Sequence, residues 1–117
     1  MLALVVSSPA IAQNPYASEA YLHQLLHKAK AAGARDVHLK VGQPPGARVR
    51  GSLVFFRIDK IRPEDTEALA RHLIRDPAVL ENLGSLREYD TSYEVHGLGR
   101  FRVNVYLVGG IVLSERT

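Results

Sequence analysis

The sequence contains no cysteine. Disulfide staples, zinc–thiolate sites and thiol catalysis are thereby excluded. No stretch approaches the roughly 20 consecutive apolar residues of a membrane-spanning helix. No lysine or arginine precedes the apolar opening Met1–Val6, and Ser7, Ser8 and Pro9 interrupt it. Ala10-Ile11-Ala12 therefore imitates a signal-peptidase site without the basic start or the apolar centre of a secretory signal. Charge of one sign is also scarce. Fifteen Lys and Arg against twelve Asp and Glu leave a formal +3, with aromatic residues not interleaved with any basic run. Nucleic-acid binding usually shows itself as a concentrated basic stripe, so no nucleic acid is expected as a partner. The cations are eleven arginines and four lysines, which favours fork-shaped contacts to carboxylate or phosphate.

Catalytic motifs are missing as well. A phosphate-binding loop needs Gly-x-x-x-x-Gly-Lys-Ser/Thr, so that backbone amides and a lysine cradle the phosphates. Gly46 and Gly51 have the glycine spacing, but Ser52 stands where the lysine should be, and no Gly-Lys pair occurs anywhere. The chain alone is not expected to be an enzyme. His23 and His27 lie one helical turn apart, yet Gln24 replaces the glutamate of the metalloprotease pattern and no third ligand suggests itself, so no metal is expected. None of Ser8, Ser52, Ser85, Ser92 and Ser114 sits in a glycine-framed elbow, which leaves a hydrolase triad without support.

What is present is ordinary globular material: 117 residues, 46% apolar and 23% charged, enough for one domain and against disorder. A compact domain of this length buries roughly two thirds of its unfolded surface. Residues 1–17 read as a flexible leader and 18–117 as the domain. Ser18 and Glu19 suit a helix start, Leu22, Leu25, Leu26 and Ala29 recur at helical spacing, and Gly33 is a natural stop. Val37, Leu39 and Val41 alternate with His38 and Lys40 as in a strand, and Asp36 shares a face with His38. Gly42–Gly46 carries paired prolines and reads as a turn; Val49 and Leu53–Ile58 read as strands around Gly51-Ser52. Pro63, Glu64 and Asp65 open a second helix with Ala68, Leu69, Ala70 and Leu73 on its apolar side, ended by Pro77, which begins a short third helix closed by Gly84. Two alternating runs, Tyr89–Val95 and Arg100–Leu107, then predict a hairpin followed by one last strand. The order implies an α+β fold, a mostly antiparallel sheet with helices on one face.

A three-residue loop Gly97-Leu98-Gly99 aligns both apolar faces of the hairpin, pairing Val95 with Phe101, Tyr93 with Val103 and Thr91 with Val105. It sets Glu94 opposite Arg102. By pattern alone this is an exposed cross-strand ion pair contributing little. Its other reading is an arginine held by a strand and presented to an anion. The expected core is Val37, Leu39, Val41, Tyr93, Val95, Phe101, Val103 and Val105 beneath Leu22, Leu25, Leu26 and Leu69.

Three segments in order carry a resemblance: Gly33-Ala34-Arg35-Asp36-Val37-His38-Leu39 followed by Val41–Gly51; Glu88–Val95; and Gly99-Arg100-Phe101-Arg102-Val103-Asn104. Over about residues 20–117 the chain resembles the N-terminal domain of the PilT-type pilus-retraction ATPases of the type II/IV secretion ATPase superfamily. The resemblance implies a PAS-like fold preceding a RecA-like ATPase domain in a homohexamer. ATP and magnesium would be cofactors of the full-length parent and not of this chain, whose end at Arg116-Thr117 reads as that of a fragment. It further implies a cytoplasmic location, peripheral at the inner membrane, and a pilus inner-membrane platform protein as partner. Arg102 matches a family arginine that helps close the nucleotide site, and Arg116 matches a second if one residue is missing from Val108–Ile111. Alternatives are the equivalent domain of a pilus-extension or type II secretion ATPase, and a free-standing PAS-like sensor or protein-interaction module.

Overall fold

A computed structural model describes residues 14–106 and 109–116. Most of the expected leader lies outside the described residues. Its last part does not dangle: Asn14 caps a short 3-10 turn over Pro15–Ala17, its side chain accepting from the Tyr16 amide at 3.1 Å. Tyr16 is only 3% exposed and meets Tyr21 edge-on, ring centroids 5.2 Å apart. Packed structure thus begins before Ser18.

Helix α1 spans Glu19–Ala31 and ends through Gly33, whose φ of 87° is the left-handed stop expected of glycine. Strands β1 (Asp36–Lys40), β2 (Gly46–Val49) and β3 (Ser52–Phe55) follow. Helix α2 runs Pro63–Leu73, and α3 runs Pro77–Glu81 after Asp76 caps the Ala78 amide at 3.0 Å. The second helix stops four residues before Pro77: Ile74 turns extended and buries its side chain. Asp65, read from sequence as a helix-dipole acid, is buried and accepts from the Arg62 amide at 2.8 Å and from its Nη2 at 3.0 Å. Strands β4 (Glu88–Val95), β5 (Gly99–Tyr106) and β6 (Gly110–Arg116) close the chain.

The six strands form one antiparallel sheet in the order β3-β2-β1-β6-β5-β4. The α+β expectation therefore holds. Two three-stranded meanders, one from each end of the chain, meet along β1–β6, paired from Asp36↔Ser114 to Lys40↔Gly110. One face packs against the helices. Val37, Leu39, Tyr93, Val95, Phe101, Val103 and Val105 are buried there with Leu22, Leu25, Leu26 and Leu69, while Val41 is partly buried at the margin. Lys30, in the last turn of α1, donates to the Leu98 carbonyl at 2.6 Å and pairs with Glu115 at 3.2 Å, tying the helix to the hairpin tip and to β6.

Two turns differ from expectation. The β2–β3 turn is Arg50-Gly51, with Ser52 already in the strand; φ is 52° and 82° at the two turn residues. Positive φ at both central positions is the type I′ hairpin turn, which favours Asn-Gly or Asp-Gly. Arginine at the first position carries backbone strain that asparagine relieves. Arg50→Asn is expected to stabilise the domain by roughly 0.5–1 kcal/mol, read as a raised denaturation midpoint at constant m value. The β4–β5 turn is the second difference. It is His96-Gly97-Leu98, closed by the Leu98 amide to the Val95 carbonyl at 3.0 Å, with Gly97 supplying φ 79°.

Candidate functional site

That turn shifts the hairpin register by two residues. Val95 pairs with Gly99, Tyr93 with Phe101 and Thr91 with Val103; Glu94 lies opposite Arg100, and Arg102 opposite Ser92. Because side chains alternate with period two, the shift leaves every residue on its expected face. The Glu94–Arg102 pairing is nevertheless corrected. Arg102 instead reaches diagonally to Asp90, Nη2 to Oδ2 at 3.9 Å, with both side chains well exposed at 62% and 56%.

The sheet face away from the helices displays a graded surface. Across β3 to β4, one row reads Leu53, Arg48, Asp36, Ser114, Arg102, Ser92. The next row carries Phe55, His38 and Val112, and Tyr106 lies one row further. Phe55 and Tyr106 are exposed, so the face is partly apolar. His38 stands between Gly46 and Val112 with its Nε2 buried and lacking a hydrogen-bond partner. Burial first, and then the Arg48 charge, holds this imidazole below its ordinary range.

The arginine end is different in kind. Arg116 is the direct register partner of Arg100, and Arg102 is paired with Ser114 between them and the strand centre. The sequence-predicted pair Arg102 and Arg116 therefore share one face and occupy diagonal positions on adjacent strands, both exposed. Arg100, opposite Arg116 and outside the sequence-predicted pair, completes the group. The signal was available in the alternation of Gly-Arg-Phe-Arg, which puts both arginines on one side. An open depression beside it is lined by Arg75, Ser92, Glu94, His96 and Arg100.

Behind this face, Tyr93 fastens β4 to α1. Its hydroxyl donates to the Glu19 carboxylate and lies 2.6 Å from His23 Nε2. A phenol has one proton, so with Glu19 accepting it, His23 must donate to the phenol oxygen. Burial, and then the bond to Glu19, pushes the Tyr93 phenol up; the same bond holds Glu19 below the usual carboxylate range. His23 is thus engaged in a structural joint, while His27 is exposed. No group of three or more metal-ligating side chains gathers among the described residues. The phosphate-loop lookalike is likewise structural. Gly46 is in β2, Gly51 in a hairpin turn and Ser52 at the start of β3, with no helix N-terminus to receive a phosphate.

No family model matches the chain. It is 32% identical over 83 residues to the type IV pilus retraction ATPase PilT of Pseudomonas aeruginosa, a match covering 71% of this chain and 24% of that protein. It thus spans about a quarter of the length of the curated relative it matches. The crystal structure of the pilus retraction motor PilT with bound ADP superposes with a TM-score of 0.64 at 32% identity, over 80% of this chain and 28% of that one. The ATPase DotB of Legionella pneumophila gives a TM-score of 0.73 over 99% of this chain and 32% of its own; at 22% identity that likeness concerns the fold. DotB of Yersinia pseudotuberculosis gives 0.69 at 23% identity, over 100% of this chain and 35% of its own. Shared sequence and shared fold together make this chain a relative of the N-terminal domain of PilT, within the type II/IV secretion ATPase superfamily.

Proposed function

We propose that the chain is the regulatory and assembly domain of a pilus-retraction ATPase, closing the nucleotide site of a RecA-like domain within a homohexamer. The observation that supports this most is the exposed, strand-held Arg102 inside Gly99–Asn104, one of the three segments that carry the family resemblance. A guanidinium fixed on a stiff strand can meet phosphate oxygens bidentately, and so can respond to whether the terminal phosphate is present. Arg116 offers a second such contact from the neighbouring strand. Domain closure on ATP and opening after hydrolysis would then turn a change in phosphate charge into rigid-body motion.

The donor set fits this part of the task and no more. Guanidinium groups suit the outer oxygens of ATP's phosphates; the lysine and backbone cradle that hold a nucleotide, and the ligands of its magnesium, would come from the RecA-like domain. When bound, ATP supplies the phosphoryl transfer that drives the motor. This domain's arginines orient and neutralise. The same reading places the protein in the cytoplasm, peripheral at the inner membrane, against a pilus platform protein.

Two measurements bear on this. The 117-residue chain with magnesium and ATP is expected to release no phosphate above background, since arginines alone do not position or activate the attacking water. Turnover that survives repurification and follows the chain through a sizing column would overturn that expectation. Reading the coding sequence beyond Thr117 tests the larger claim: a Gly-x-x-x-x-Gly-Lys-Ser/Thr motif about one domain downstream supports it, and a stop codon opposes it.

A further inference from the structure

Arg100 has no part in the reading above, yet on the open face it stands beside a like charge. It lies directly opposite Arg116 across β5–β6. Opposed antiparallel positions hold their Cβ atoms about 4.5–5.5 Å apart, and like charges there are destabilising. Neither guanidinium makes an ion pair among the described residues. Glu94 on β4 lies opposite Arg100 without an ion pair to it, and among the described residues Asp90 pairs with Arg102, at 3.9 Å. Arg75 brings a further positive charge to the depression that Arg100 lines. Three guanidiniums therefore gather at one end of two neighbouring strands, with Glu94 opposite Arg100 and one loose contact from Asp90 to Arg102 as their nearby carboxylates. Such a corner gains most from a multiply charged anion, because each phosphate oxygen pair can take one planar fork.

The geometry points to Arg100 as a third phosphate contact: with Arg102 and Arg116 it forms a corner that takes the polyphosphate chain of a nucleoside triphosphate. This rests on the reading that the open face meets nucleotide, and extends it to a residue outside the assigned pair. The corner is present in the domain by itself, so it binds the polyphosphate weakly without the ATPase domain, and in a salt-dependent manner.

The test uses the 117-residue chain at low ionic strength, following backbone amide resonances while ATP, inorganic triphosphate or inorganic phosphate is added. ATP and triphosphate are expected to move the amides around Arg100, Arg102, Ser114 and Arg116, with inorganic phosphate much weaker. Arg100→Ala and Arg102→Ala should each weaken triphosphate about tenfold, as loss of one charge-assisted contact does. Arg50→Ala, at the far hairpin, should not. Removing one of two opposed like charges leaves the fold intact, so the thermal midpoint of Arg100→Ala should equal or exceed that of the parent. If Arg102→Ala weakens binding and Arg100→Ala does not, the proposal for Arg100 is overturned while Arg102 keeps its role. If triphosphate binds and ATP does not, the nucleotide assignment falls. Equal weakening by Arg50→Ala, or no binding at all, removes the corner as a site in this chain. Turnover of the assembled ATPase would still test the closure reading separately.

Discussion

Gly110→Ala is expected to destroy the native sheet. A Cβ at this position would lie 2.2 Å from the Leu39 carbonyl oxygen and 2.7 Å from the Lys40 Cα, both backbone atoms, and φ there is 129°. No side-chain rotation relieves such an overlap. The strand β1 must move away from β6, and the ladder from Asp36↔Ser114 to Lys40↔Gly110 must part. That ladder is the seam between the two meanders, so its loss separates the N-terminal half of the sheet from the C-terminal half. A cost above about 3 kcal/mol follows, at the severe end of single substitutions. Gly109→Ala is the matched control: its nearest neighbour would be the Tyr106 Cβ at 3.8 Å, an ordinary contact. Chemical denaturation of the two variants should therefore diverge sharply. Comparable midpoints for both would show that β1 and β6 are not in close contact at Gly110.

The second large effect concerns the assembled ATPase of the proposed function. Arg102→Ala should lower ATP turnover at least about tenfold, because charge stabilisation at a transferring phosphate is often a dominant catalytic contribution. In the isolated domain the same change should shift stability by no more than about 0.5 kcal/mol. Its one ion pair among the described residues, with Asp90, is long and exposed on both sides, and such pairs contribute little. The contrast between the two measurements carries the assignment. An isolated domain that unfolds on losing Arg102, beside a motor that keeps normal turnover and retraction, would make the residue structural.

Much of this was legible in the chain because periodicity and punctuation agreed. Helix α1 between Ser18 and Gly33, the Pro63 and Pro77 helix starts, and the buried row Phe101, Val103 and Val105 all follow from spacing. The hairpin shows where spacing stops. Registers two residues apart bury the same side chains, so hydrophobic pattern cannot choose between them. The choice fell to the turn, where the Leu98 amide closes on the Val95 carbonyl around His96-Gly97 and Arg102 moves from Glu94 to the reach of Asp90. The arginine face was foreseen, its partners were not. The Glu19–Tyr93–His23 joint left no local trace at all, since His23 and Tyr93 are 70 positions apart and meet only through packing. Tyr16 was hidden for the opposite reason: Gln13-Asn14-Pro15 just before it reads as the end of a tail, while the Tyr16 ring itself packs in the core.

The Lys30 tie bears on how freely the hairpin tip moves. A free hairpin tip wanders, and whatever binds it must first freeze that wandering, losing affinity in proportion. Here a single ammonium group, shared between the Leu98 carbonyl and Glu115, pins the tip and the end of β6 to the terminus of α1. The strands bearing Arg100, Arg102 and Arg116 are thus tied to the helix layer on the face opposite the arginines. In the proposed role, an anion arriving at the arginine face would find the charges already in place, and its binding energy would be left to move whole domains instead of ordering a loop.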